Sequence, residues 1–170
     1  MKIVVMNGSP HANGNTSALV DAFKKGAESK GNEVVVCPVG TMQINGCRAC
    51  EYCHTAGEGK CIQQDDMQAV SAELADADMV VLASPVHYWG FSGQLQCAVA
   101  RFYATGKPAK ATKYAMILSS GSPGVYDAII SQYKSIVRYF DAEDLGICAF
   151  DGDAKTEERM TQVEAFGASL

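Results

Sequence analysis

Short apolar runs alternate along this chain with longer stretches in which apolar residues recur every three or four positions. The short runs at residues 2–6, 33–37, 79–83, 114–119 and 145–150 are rich in Val, Ile, Leu and Met and predict five buried strands. Between them Leu19 pairs with Phe23, and Val70 with Leu74. Ile129, Tyr133, Ile136, Val137 and Phe140 form one stripe, and Met160, Val163 and Phe166 another. Each stripe is the core-facing side of a helix. Strands that alternate with helices predict an α/β fold, because parallel neighbours must be joined by crossovers that lay helices on both faces of the sheet.

Local signals place some boundaries. Gly31 stands where the first helix should stop, and Asp65 followed by Gln68 predicts an N-cap with its capping-box partner for a helix beginning near Met67. Residues 40–64 are too many and too polar for an ordinary connection of about 2–6 residues. They read as a cysteine-rich insertion in a single domain spanning 1–170, since no repeat, linker or low-complexity tract marks a boundary.

The length of 170 residues allows a continuous core without disulfides. A net charge of −5 gives no basic footprint, so nucleic acid is excluded as a partner. No apolar run approaches the ~18 residues of a membrane span. The first strand begins at once, leaving no room for a signal peptide, and a cytoplasmic protein is expected.

The first chemical signal follows the first predicted strand. Asn7, Gly8, Ser9, Pro10, His11, Ala12, Asn13, Gly14, Asn15, Thr16 and Ser17 form a loop leading directly into a helix. Backbone N–H groups at a helix N-terminus attract an anion, and Ser9, Asn15, Thr16 and Ser17 add short side-chain donors. Gly8 and Gly14 are separated by five residues and Asn15 follows, so the loop lacks the Gly-Lys-Ser/Thr of a Walker motif. Nor does the second strand end in the acidic residue of a dinucleotide fold. A monoester phosphate remains, and in a five-strand doubly wound sheet that is the position of FMN.

The third strand runs into Pro85, Val86, His87, Tyr88 and Trp89, the fourth into Ser120, Gly121 and Ser122. Both loops fall at carboxyl ends beside the expected switch point, where Pro85 to Trp89 can wall a flat ring and offer backbone groups to its polar edge. No Ser-His-Asp or Cys-His constellation accompanies them: His11, His54 and His87 lie in loops without a paired carboxylate.

Four of seven cysteines crowd the insertion as Cys47, Cys50, Cys53 and, after seven intervening residues, Cys61. Three thiolates at this spacing suit three irons of a [4Fe–4S] cubane, with Gly57 and Gly59 letting the chain return for a fourth. Tetrahedral zinc, a redox-active dithiol and plain reduced thiols are the rivals. Cys37, Cys97 and Cys148 sit in apolar elements and are expected in the core.

The motifs Asn-Gly-Ser-Pro-x-x-x-Gly-Asn-Thr after the first strand and Ser-Pro-Val-x-Tyr-Trp-x-x-Ser-Gly-Gln-Leu after the third resemble the NADPH-dependent FMN reductase family. With the clustered cysteines and Asp65-Asp66-Met67 they resemble its iron–sulfur flavoprotein branch, over residues 1 to about 125. The resemblance implies a flavodoxin-like three-layer sandwich with a five-stranded parallel sheet of order 2-1-3-4-5. It implies FMN held at its phosphate by Ser9, Asn15, Thr16 and Ser17, lined by Pro85, Val86, His87, Tyr88 and Trp89, and touched by Ser120, Gly121 and Ser122. It also implies NAD(P)H as a transient donor, a small-molecule acceptor, and a homodimer or tetramer. His11 stands where such proteins often have Arg, and Gln96 where Lys is common. Three functions follow as alternatives: an FMN-dependent oxidoreductase, an iron–sulfur electron carrier between ferredoxin-like proteins, or a metal-binding structural domain without flavin.

Overall fold

The apolar runs become the interior of one parallel sheet, because a strand covered on both faces needs apolar side chains in both pleat directions. A computed structural model describes residues 1–108 and 110–170. Its strands are β1 (Lys2–Asn7), β2 (Glu33–Cys37), β3 (Met79–Pro85), β4 (Lys113–Ser120) and β5 (Glu143–Asp151). Its α-helices are α1 (Asn15–Glu28), α2 (Met67–Ala75), α3 (Gly93–Ala100), α4 (Asp127–Tyr139) and α5 (Glu157–Ala168). All neighbouring strands are parallel, in the predicted order β2-β1-β3-β4-β5.

Alternate residues of each central strand feed different cores. Val4, Met6, Val80, Leu82, Met116 and Leu118 pack toward α2, α3 and α4. Ile3, Val5, Met79, Val81, Ala115 and Ile117 pack toward α1 and α5. On the second face two glycines bring backbones together: a Cβ at Gly26 of α1 would overlap the Glu164 carbonyl of α5, and one at Gly167 would overlap the Phe23 carbonyl. None of the described helices is long and apolar enough to cross a membrane.

Helix α1 ends at Glu28 and Gly31 adopts φ +80°, as its sequence position suggests. The capping box at α2 does not form. Asp65 Oδ1 accepts the Met67 N–H at 3.2 Å, but Gln68 Nε2 donates to Gln64 Oε1 instead of reaching back. The second Asp65 oxygen is committed to Arg101 at 2.6 Å, a stronger, charge-assisted bond. Cys37 and Cys148 are buried, and burial pushes both thiols up to about 11. Cys97 departs from expectation: it is half-buried on α3, facing Gly46 of the insertion.

Tyr114 is wholly buried in β4, and its hydroxyl has no hydrogen-bond partner among the described residues. An unpaired buried hydroxyl costs about 1–3 kcal/mol. Tyr114→Phe is therefore expected to raise the unfolding free energy by about 1 kcal/mol. Urea denaturation with an unchanged m-value would show it; a fall in midpoint would mean that the hydroxyl is satisfied.

Candidate functional site at the carboxyl edge

Where β1 ends, Asn7 organises the turn that follows. Its Oδ1 accepts the Ser9 N–H at 3.0 Å and its Nδ2 donates to Ser17 Oγ at 3.1 Å. Ser17 Oγ donates in turn to the His11 carbonyl at 2.9 Å, and Ser9 Oγ engages the His11 backbone at 3.2 Å. The Gly8 N–H reaches across to the Ala83 carbonyl of β3 at 2.8 Å. From the far side Gly40 donates its N–H to the Asn7 carbonyl at 2.9 Å.

The predicted side-chain donors are thus brought together, but their hydroxyls and amide are bonded within the protein. Thr16 Oγ1 lies 2.7 Å from Ser119 Oγ, and Asn15 Nδ2 donates to the Gly152 carbonyl at 3.0 Å. What stays open is backbone. Gly14, at the N-cap of α1, supplies no side-chain cap, and the first helical bond runs from the Ala18 N–H to the Gly14 carbonyl. The N–H groups of Asn15, Thr16 and Ser17 precede it at the positive end of the helix dipole.

After β3 the chain makes a tight two-residue turn closed by paired backbone bonds between His87 and Gly90, each 3.0 Å. Tyr88 and Trp89 occupy it with φ of 48° and 63°. Such left-handed angles are unfavourable for side-chain-bearing residues, and strain of this kind gathers at functional sites. The turn presents Tyr88 at 96% and Trp89 at 52% exposure. With Val86, Ser120, Gly121, Ser122 and Val125 they line a cavity of about 180 Å³. Pro85 and His87 flank this lining without joining it. The β4 loop is braced by Ser120 Oγ, which lies 2.7 Å from the Ser122 carbonyl and 2.6 Å from Tyr126 Oη.

The cysteine insertion forms a second candidate centre. Cys47, Cys50, Cys53 and Cys61 line one small cavity together with Glu51, Gln63, Arg101 and Tyr103. Among the described residues no three His, Cys, Asp or Glu side chains converge closely enough to hold a metal ion. Zinc, with Zn–S bonds of about 2.3 Å, demands such convergence. A cubane spreads its four thiolates over separate irons. By chemistry four thiols are the donor set of an iron–sulfur cluster, and they share one cavity of about 10 Å³. Ala49, Glu51 and Glu58 all have positive φ in this segment.

The residues after α3 clamp the insertion. Arg101 NH1 donates to the Asn45 carbonyl at 3.0 Å and to Asp65 Oδ2 at 2.6 Å, with the Arg101 and Asp65 side chains 2% and 6% exposed. Tyr103 Oη donates to Glu51 Oε1 at 2.7 Å, and the His54 ring meets the Tyr103 ring edge-on. Sequence reasoning named Asn7 only as a member of the loop, and missed Gly40 and Arg101. The available signal for Arg101 was a single charge between the apolar Val99 and Phe102. A cavity of about 570 Å³ lies on the other side of Cys61, between α2 and this segment.

A five-stranded parallel sheet of order 2-1-3-4-5, with helices on both faces and a crevice at the carboxyl ends of β3 and β4, defines the flavodoxin-like class of α/β proteins. Residues 1–153 match the family model described as NADPH-dependent FMN reductase, and the chain belongs to that family. An iron-sulfur flavoprotein of Archaeoglobus fulgidus is 36% identical over 115 residues, 67% of this chain and 51% of the relative. One from Methanocaldococcus jannaschii is 38% identical over 101 residues, 59% of this chain and 50% of the relative. The chain spans about half the length of the curated relatives it matches. The fold is shared with the NAD(P)H:quinone oxidoreductase of Methanothermobacter marburgensis (TM-score 0.78, 13% identity, covering 100% of this chain and 96% of that one). It is shared too with an FMN-dependent NADH-azoreductase of Bacillus anthracis in complex with FMN (TM-score 0.72, 14% identity, covering 100% and 99%).

Proposed function

We propose that this chain binds FMN at the carboxyl edge of its sheet and acts as an NAD(P)H-dependent oxidoreductase. The observation that carries the reading is the uncapped first turn of α1 at the switch point, beside the crevice of Val86, Tyr88, Trp89 and Ser120 to Ser122. The N–H groups of Asn15, Thr16 and Ser17 would hold the phosphate, with Ser9 and the three side chains keeping the loop in shape. Tyr88 and Trp89 would border the ring, and Gly121 leaves the backbone approachable, since nothing lies within 4 Å of an added Cβ there. When bound, FMN supplies exchange of one or two electrons between donor and acceptor. The protein's part is to orient the ring and exclude competing reactions; no side chain is needed as acid or base.

NAD(P)H would donate transiently, and a small molecule such as a quinone would accept. The wide exposure of Tyr88 and Trp89 suits a homodimer or tetramer in which a second copy covers them. Seven cysteines suit a reducing, cytoplasmic setting. A second reading, an electron carrier to ferredoxin-like partners, is favoured by the four cysteines on one cavity, which would then hold [4Fe–4S].

The full chain purified without air should show flavin absorption equivalent to one FMN per chain and should oxidise NAD(P)H with a quinone acceptor well above background. Bound flavin without such turnover would favour the carrier. A colourless protein that takes up no added FMN would leave only a structural domain.

A further inference from the structure

Arg101 is buried and only partly bonded. Its guanidinium carries five N–H donors in a fixed fork. NH1 meets Asn45 and Asp65, yet the buried Nε has no acceptor among the described residues. An unpaired donor on a buried charge is costly, so its surroundings indicate what it is placed to meet.

Arg101 lines two cavities. On one side the walls are Met67, Leu74, Phe102 and Pro108, with Lys60 and Lys107 as further cations and no carboxylate. Among the described residues that side holds no carboxylate, and its one thiol, Cys61, also lines the other cavity. On the other side stand the sulfurs of Cys47, Cys50, Cys53 and Cys61. Glu51, the one carboxylate there, already accepts from Tyr103, and Gln63 is tied through Nε2 to the Gly46 carbonyl.

We propose that Arg101 is a positioning residue of the cysteine centre, its Nε–H donating to a sulfur of the thiolate-bound group while Asp65 and the Asn45 carbonyl hold the fork in place. This rests on the reading of Cys47, Cys50, Cys53 and Cys61 as [4Fe–4S] ligands. Burial opposes the positive charge on Arg101, but Asp65 outweighs it, and Cys61 adds to the effect from the cavity side. Asp65 and Arg101 thereby link the start of α2, the entry to the insertion and the end of α3 at one point against the sulfurs. An N–H bond to a cluster sulfur favours the more negative, reduced state, and so raises the reduction potential.

The test uses the full chain reconstituted anaerobically with iron(II) and sulfide, carrying Arg101→Lys or the paired Arg101→Met/Asp65→Asn. Lysine keeps a charge for Asp65 but has no N–H at the Nε position; the paired variant removes both charges and guards against misfolding of the single one. Iron content, FMN content and the cluster potential by spectroscopic redox titration are read together. Both variants are expected to keep wild-type iron and FMN while the cluster becomes harder to reduce, by about tenfold in the reduction equilibrium, the scale of one hydrogen bond to a charged group. Iron-loaded variants with the wild-type potential would overturn the contact and leave Arg101 a structural ion-pair partner. A wild-type chain that takes up no iron would overturn the cluster reading and the contact with it.

Discussion

Gly40→Ala is expected to weaken FMN binding by about a hundredfold, from an overpacking cost near the upper end of the usual ~1–3 kcal/mol. Gly40 lies just beyond β2, buried against the back of the loop from Asn7 to Ser17. A methyl group on it would overlap the Ser9 carbonyl and press on Gly8. Neither neighbour can yield alone. The Gly8 N–H is bonded to Ala83, the Ser9 N–H to Asn7, and the Gly40 N–H to the Asn7 carbonyl. Relief must therefore displace the loop that sets the first turn of α1. Fluorescence titration of the apoprotein with FMN, alongside thermal unfolding, separates lost affinity from lost fold. Wild-type affinity in a folded variant would remove the loop from the flavin site.

Asp65→Leu should cost about 3–5 kcal/mol, because it strands the Arg101 guanidinium in the interior. For a domain whose total stability is about 5–15 kcal/mol that is a large share. The carboxylate also receives the Asn45 N–H at 3.0 Å and the Met67 N–H at 3.2 Å, so α2 loses its cap with it. Adding Arg101→Met should restore most of the loss, since an apolar pair can replace a buried ion pair. The pH dependence has a definite sign. Burial raises the Asp65 carboxyl, but bonds from Arg101, Asn45 and Met67 outweigh it and hold the group below its ordinary value. A carboxylate with a lowered folded pKa stabilises above its unfolded value of about 3.9, and that contribution fades as pH falls through the folded value. Urea midpoints should therefore drop below about pH 4 in the wild type, with a shallower drop in the doubly substituted chain. Equal acid slopes would show that Asp65 carries none of this dependence.

Features written in local pattern were legible from the sequence. The five strands follow from runs of Val, Ile and Leu, and their order from the family resemblance carried by the motifs after the first and third strands. Features decided by distant partners were not. Asp65 and Gln68 carry the spacing of a capping box, but Arg101, 36 residues on, takes the carboxylate. Thr16 reads as a ligand donor, and only the closed sheet shows that Ser119, 103 positions away, also partners its hydroxyl. The same holds for Asn15 with Gly152. In each case a short polar side chain has a satisfying partner that only the closed sheet supplies. Cys97 reads as core because its neighbours Leu95, Ala98 and Val99 are apolar, whereas its half-buried position against Gly46 depends on where the insertion folds.

The glycine contact between α1 and α5 bears on the order of events during synthesis. Gly26 is made some 140 residues before the Glu164 carbonyl and Gly167 that close over it. Until then Phe23, whose ring stacks at 5.8 Å from that of Phe166, lacks its cover on that face. A nascent chain can assemble the β1-α1-β2 unit while it grows, but the second core face closes only when the last helix has emerged. Long-range closure of this kind slows folding and prolongs exposure of apolar surface. Placing two glycines where α1 and α5 cross thus makes the cover of this face wait for α5.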